Sequence, residues 1–125
     1  MIHFSVDRFL GRPYDRRRYH CWHLVCEAWL DLTGTDLGPV PDWDEREVLA
    51  RFSAFAASPE PVSPCIVLML TPPSVPHAGV FLRGRVLHIR PEGARFERLK
   101  DATRGFEEVR YYAARNPHRE PARTG

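Results

Sequence analysis

The chain is poor in cysteine, nearly free of lysine and without any long apolar run. Its three cysteines, Cys21, Cys26 and Cys65, are an odd number and do not make a disulfide framework, so reduced thiols are expected. The longest apolar stretch, Cys65 to Leu70, is far too short to cross a bilayer, and no membrane span is expected. Met1 to Phe4 offers neither a basic nor an extended apolar segment, so no signal peptide is expected and synthesis is placed in the cytoplasm. Lys100 is the only lysine; arginine supplies the rest of the 18 basic side chains, set against 16 acidic ones. That near-balance excludes an overwhelmingly basic nucleic-acid binder and argues against nucleic acid as a partner. Repeats and low-complexity tracts are absent too, which excludes solenoid and fibrous architectures.

What remains is ordinary globular composition: 125 residues, 43% hydrophobic and 27% charged. A chain of this size buries roughly two thirds of its unfolded surface, enough for a core without disulfides. One domain over residues 1–115 is expected, with a polar, frayed tail over 116–125.

Residues 5–10 read as a short helix capped by Ser5, with Gly11 just past its end, and Gly11 to Arg18 as a polar loop. Trp22, Val25, Cys26, Trp29 and Leu30 then follow helical spacing and predict a helix over about 19–33, stopped by Gly34. Leu24, Ala28 and Leu32 fill most of its other side, so burial nearly all round is expected. Asp42 and Glu45 predict the start of a second helix over about 43–57. Beyond the prolines of 59–64 the period becomes extended. Strands are predicted at Cys65–Leu70, His77–Leu82, Arg85–Arg90, Ala94–Arg98 and Phe106–Tyr112. Helices followed by strands on short turns imply an α+β fold with an antiparallel sheet of about five strands.

Two groups in this layout bear chemistry. Cys21 falls in the first turn of the predicted helix, where free N–H groups and the helix dipole favour thiolate over thiol. The alternative is simple packing, since free cysteine is commonly buried. Cys26, deeper in the helix, and Cys65, opening a strand, read as packing residues. A nucleophilic thiol needs a base, and the base needs an orienter. A two-residue turn at Arg83-Gly84 sets Gly79 opposite His88 and makes His77 and His88 diagonal neighbours. Gly79 then leaves room for one imidazole to lean toward the other. A turn at Gly84-Arg85 separates them instead.

Gly11-Arg12-Pro13-Tyr14 and Tyr19-His20-Cys21-Trp22-His23-Leu24-Val25 resemble the nucleophile segment of NlpC-type cell-wall cysteine peptidases, a papain-like superfamily. The Cys-Trp pair is similar to the branch found in phage tail-tip assembly proteins. His77-Ala78-Gly79-Val80-Phe81-Leu82 and Gly84-Arg85-Val86-Leu87-His88-Ile89 resemble the family's second signature. The resemblance covers about residues 8–112. It implies Cys21 as nucleophile, His77 as general base and His88 as its orienter, with Tyr14 lining the oxyanion region. From its position next to Cys21, Trp22 reads as core or groove wall and is placed partly in a substrate cleft. Cell-wall members carry aspartate before the cysteine and a small residue after it. His20 and Trp22 stand there in this chain, which implies little dependence on a free stem-peptide amine.

The implied activity is thiol peptidase chemistry on peptidoglycan stem peptides, without a cofactor, by a protein of a phage or prophage tail made in the bacterial cytoplasm and acting from the virion. Other tail-tip proteins are the implied partners. The alternative is a structural or assembly component of the tail tip that keeps the fold with weak or no activity. His20, Cys21, His23 and Cys26 offer the residue types of a metal cluster, but side chains at 20, 21 and 23 of one helix diverge, so no metal site is assigned. Arg16-Arg17-Arg18, with Tyr14 and Tyr19 for stacking, could meet phosphates; a solvated loop explains them as well.

Overall fold

The computed structural model of the chain describes residues 4–40, 55–74 and 76–114. They form an α+β arrangement: one six-stranded, wholly antiparallel sheet and two helices. The expected tail over 116–125 and most of the expected helix over 43–57 lie outside these residues.

The chain enters through a single 3-10 turn, Val6–Arg8, where the Asp7 backbone N–H donates to the Ser5 hydroxyl at 3.2 Å. A compact loop follows. Asp15 and Tyr19 exchange backbone hydrogen bonds, and the Asp15 carboxylate accepts from the Arg17 and Arg18 backbone N–H groups. Arg16, Arg17 and Arg18 are exposed on it.

Helix α1 spans Cys21–Thr33, two residues later than the spacing suggests. Its start is set by two histidines. His20 Nδ1 accepts from the Trp22 N–H at 3.2 Å, and His23 Nδ1 accepts from the His20 N–H at 3.1 Å. This reciprocal cap satisfies two donors that a helix start leaves unpaired. Gly34 ends the helix in the left-handed conformation, φ 79°, with its N–H on the Leu30 carbonyl. Contrary to expectation, α1 is not buried all round. Cys21, Trp22, Leu24, Val25, Ala28 and Trp29 face the core, while Leu30 is 45% exposed. Glu27 and Asp31 on the outer face hold the arginines of the entry segment. Arg12 Nη1 donates to Glu27 at 2.5 Å and to the Tyr19 hydroxyl at 2.6 Å, and Arg8 bridges Glu27 and Asp31.

Strands β2 (Cys65–Leu70), β3 (His77–Leu82) and β4 (Arg85–Arg90) lie where the sequence places them. Strand β5 covers Gly93–Arg98, and β6 covers Glu108–Ala114, two residues later than expected at its start. The sixth strand is β1, Phe55–Ser58, where the sequence suggests the end of a helix. Pairing with β6 from Phe55↔Ala114 to Ser58↔Tyr111 overrides the helical preference of two alanines. A one-turn helix, α2 (Leu99–Ala102), follows β5; it is too short for periodicity to reveal.

The strand order is β1-β6-β2-β3-β4-β5. Side chains alternate between two apolar faces. Ile66, Leu68, Ala78, Val80, Leu87 and Ile89 pack with the inner side of α1, with Phe9 and Phe55. Cys65, Val67, Met69, Phe81 and Val86 form the other face, with Ala102 of α2 and Phe106. Helix α1 lies on β3 and β4. Among the described residues no helix is long and apolar enough to cross a membrane.

Candidate active site

The turn between β3 and β4 occupies Arg83 and Gly84 at φ 49° and 86°, the doubly positive geometry of a two-residue hairpin. The register runs Leu82↔Arg85, Phe81↔Val86, Val80↔Leu87, and the paired rungs end there. Of the two turns that the sequence allows, this is the one that makes neighbours of the histidines. His77 Nε2 lies 3.0 Å from His88 Nδ1, and the rings meet edge to face at 5.3 Å.

Gly79 makes this approach possible. A Cβ there would stand 2.6 Å from Val86 Cγ1 and 3.0 Å from both His88 Cβ and the Leu87 carbonyl oxygen. The His77 ring is further fixed by Phe106, stacked at 5.8 Å with only 6° between planes. His88 is 0% exposed. Its far nitrogen, Nε2, lies 2.6 Å from Glu97 Oε2, and Arg90 Nε stands 3.9 Å from the same oxygen. The sequence pattern of β3 and β4 does not point to Glu97. Its signal was the two-residue turn Pro91-Glu92, which sets Arg95 opposite His88 and Glu97 one diagonal further along the same face.

Cys21 reaches this region from the α1 side. The Ala78 N–H, beyond the last β3–β4 rung, points at its sulfur, as do N–H groups of the first turn of α1. The nucleophile candidate thus sits against the residue following His77, but among the described residues no hydrogen bond joins its sulfur to either imidazole.

Helix-end activation of the thiol is overruled by burial. Cys21 is 1% exposed, and loss of water pushes its pKa up to about 12, against the opposing pull of the Ala78 and first-turn N–H groups. Cys65 is likewise buried and pushed up to about 11, whereas Cys26 is only partly buried. The imidazoles are driven the other way. Burial first, then His88 and the Arg90 charge, lower His77 to about 3. His88 is also lowered by burial, against the opposing pull of Glu97. At neutral pH the site therefore holds a thiol and neutral imidazoles.

Tyr14 is partly buried and packs against the core beside α1. Trp22 does not flank an open cleft: it is 3% exposed, and its ring belongs to the core under α1, because position 22 falls on the helix's inner stripe. His20 and His23 each use Nδ1 in the helix cap, and among the described residues no group of three His, Cys, Asp or Glu side chains could hold a metal ion. Comparison with protein-family models, curated proteins and solved structures returns no match.

Proposed function

We propose that this chain is a papain-like, NlpC-type thiol peptidase that cleaves peptidoglycan stem peptides, associated with a phage or prophage tail. The observation that carries the reading is the 3.0 Å contact between His77 and His88, beside a strand backbone whose Ala78 N–H addresses Cys21. A neutral His77 can accept a proton; a charged one could not.

In the proposed reaction His77 takes the Cys21 proton as the sulfur attacks an amide carbonyl. The resulting imidazolium returns that proton to the leaving amine. Water, deprotonated by the same ring, then releases the acyl group and restores the thiol. His88 holds the ring in direction. Tyr14 is assigned to the oxyanion side. The thiol's pKa of about 12 and the imidazole's of about 3 make proton transfer uphill while Cys21 is buried, so this reading requires substrate entry to expose the thiol.

That same burial favours the second reading, a structural tail-tip component with weak or no activity. Digestion of purified sacculi, read by mass spectrometry, separates the two. The wild type should open peptide bonds and create no new reducing sugar ends, because glycan hydrolysis generally uses paired carboxylates. Cys21→Ala should abolish the cut. No cleavage by folded wild type, across several sacculus types, selects the structural reading. With His20 and Trp22 in place of the aspartate and small residue, amine-blocked stems should serve about as well as free ones.

A further inference from the structure

Three polar side chains from three successive strands form one line: His77 of β3, His88 of β4 and Glu97 of β5. The line has a direction. A carboxylate accepts hydrogen bonds and cannot donate them, so Glu97 requires a proton on His88 Nε2. A neutral His88 then has only a lone pair at Nδ1, and this requires a proton on His77 Nε2. Neutral His77 is left with its lone pair at Nδ1, the one ring nitrogen outside the chain of contacts.

We propose that Glu97 is a positioning residue that sets the tautomers of both imidazoles and so directs the basic nitrogen of His77 away from His88. The inference rests on the peptidase reading only for what Nδ1 then does, namely accept the Cys21 proton; the tautomer assignment itself does not depend on activity.

Several features of the site support a directing role. His88 has no solvent contact, so the Glu97 oxygen is the partner that its Nε2 meets. The Arg90 charge stands 3.9 Å from the same Glu97 oxygen, and its Nη2 donates to the Ala102 carbonyl at 3.1 Å. Arg90 thereby ties the relay to α2. Arg90 and Arg95, the charges that face His88 besides Glu97, both disfavour an imidazolium, which keeps the His88 ring in the neutral form this logic needs. Phe106 stacked on His77 prevents the outer ring from turning to another partner.

The test is long-range proton–nitrogen NMR on the full chain with labelled histidine, at neutral pH, resonances being assigned with His77→Gln and His88→Gln. Both rings should carry the proton on Nε2 in the wild type. Glu97→Ala should release His88 into a mixture of tautomers, with His77 following. Glu97→Gln keeps an acceptor oxygen at the same reach and should restore the pair. Circular dichroism establishes that each variant is folded. If sacculus cleavage is found, Glu97→Ala should lower kcat about 10–100-fold with little change in KM, and Glu97→Gln should recover most of it. A wild-type His77 protonated on Nδ1, or tautomers indifferent to Glu97→Ala, overturns the proposal whatever the activity. Tautomers that respond as expected in a protein that cuts nothing sustain it and overturn the peptidase reading alone.

Discussion

The thiol end and the imidazole end of the candidate site are built from opposite materials. Cys21 is placed by apolar packing: its helix face carries Trp22, Leu24, Val25 and Ala28, and its polar contacts are backbone N–H groups. His77 and His88 are placed by side-chain hydrogen bonds and ring contacts that end on Glu97 and Phe106. Both ends are uncharged at neutral pH, and burial is the main cause at each. At the thiol, burial keeps the proton on; at the imidazole, it keeps the proton off. The imidazoles are joined to each other and to Glu97, whereas among the described residues no hydrogen bond joins Cys21 to them.

The largest expected effect breaks the imidazole end. His77→Ala removes the proton acceptor and should lower turnover by about 10²–10⁴-fold. His88→Ala removes only the orienter, which sets tautomer and direction, and should cost less than His77→Ala. Rates measured on the same sacculus substrate, with folding checked by circular dichroism, rank the two. A harmless His77→Ala change would end the assignment of a base.

The thiol end comes next. A rise from 9.0 to about 12 lowers the thiolate fraction of Cys21 at neutral pH by about a thousandfold. Iodoacetamide applied to the folded protein should label the partly buried Cys26 first, with Cys21 and Cys65 waiting for unfolding. Mapping by mass spectrometry gives the order. Rapid labelling of Cys21 would mean that the closed state opens readily in solution, which would favour the enzyme over the structural component.

The sequence announces these two ends unequally. Cys65–Leu70, His77–Leu82 and Arg85–Arg90 are legible because the hairpin turn Arg83-Gly84 fixes the register, and register fixes which histidines meet. Gly79 was legible as space for an imidazole. Burial of Trp22 was legible from its place on the stripe, but the depth of Cys21 was not, because periodicity places a stripe on α1 without stating what lies over the helix start. Leu30 and Cys26 were assigned to that stripe, yet the core centres on Leu24, Val25 and Ala28. Phe55–Ser58 reads as helix because alanine favours helices locally, and only its long-range partner β6 makes it a strand. Glu97 required the β4–β5 register as well, one turn beyond the hairpin that the histidines themselves suggest.

A smaller effect tests the glycine that joins the strands behind the imidazoles. Gly79→Ala introduces a Cβ with 2.6 Å to Val86 Cγ1 and 3.0 Å to backbone at Leu87. The overpacking should cost about 1–3 kcal/mol in urea unfolding. Val86→Ala in the same chain removes the nearest clash and should return part of that loss, whereas the Leu87 contact remains. If Gly79→Ala is neutral, β3 and β4 do not approach as closely as the His77–His88 contact requires.

The smallest effect sharpens the comparison through pH. His77 falls from 6.5 to about 3 in the fold, so the unfolded chain binds a proton in this interval that the folded chain refuses. A base with a lowered folded pKa contributes stability that is whole above about 6.5 and is lost as pH falls toward about 3. Between pH 6.5 and 5.5 the loss from this one ring should be about 1 kcal/mol. His77→Gln cannot titrate there, while His88, Glu97, Arg90 and Arg95 are common to both proteins, so their contributions largely cancel in the difference. Unfolding free energies measured at half-unit steps should show the wild type falling more steeply than the variant over that interval. Parallel curves would mean that the fold does not lower His77, and the imidazole end would then have no claim to being held neutral by burial.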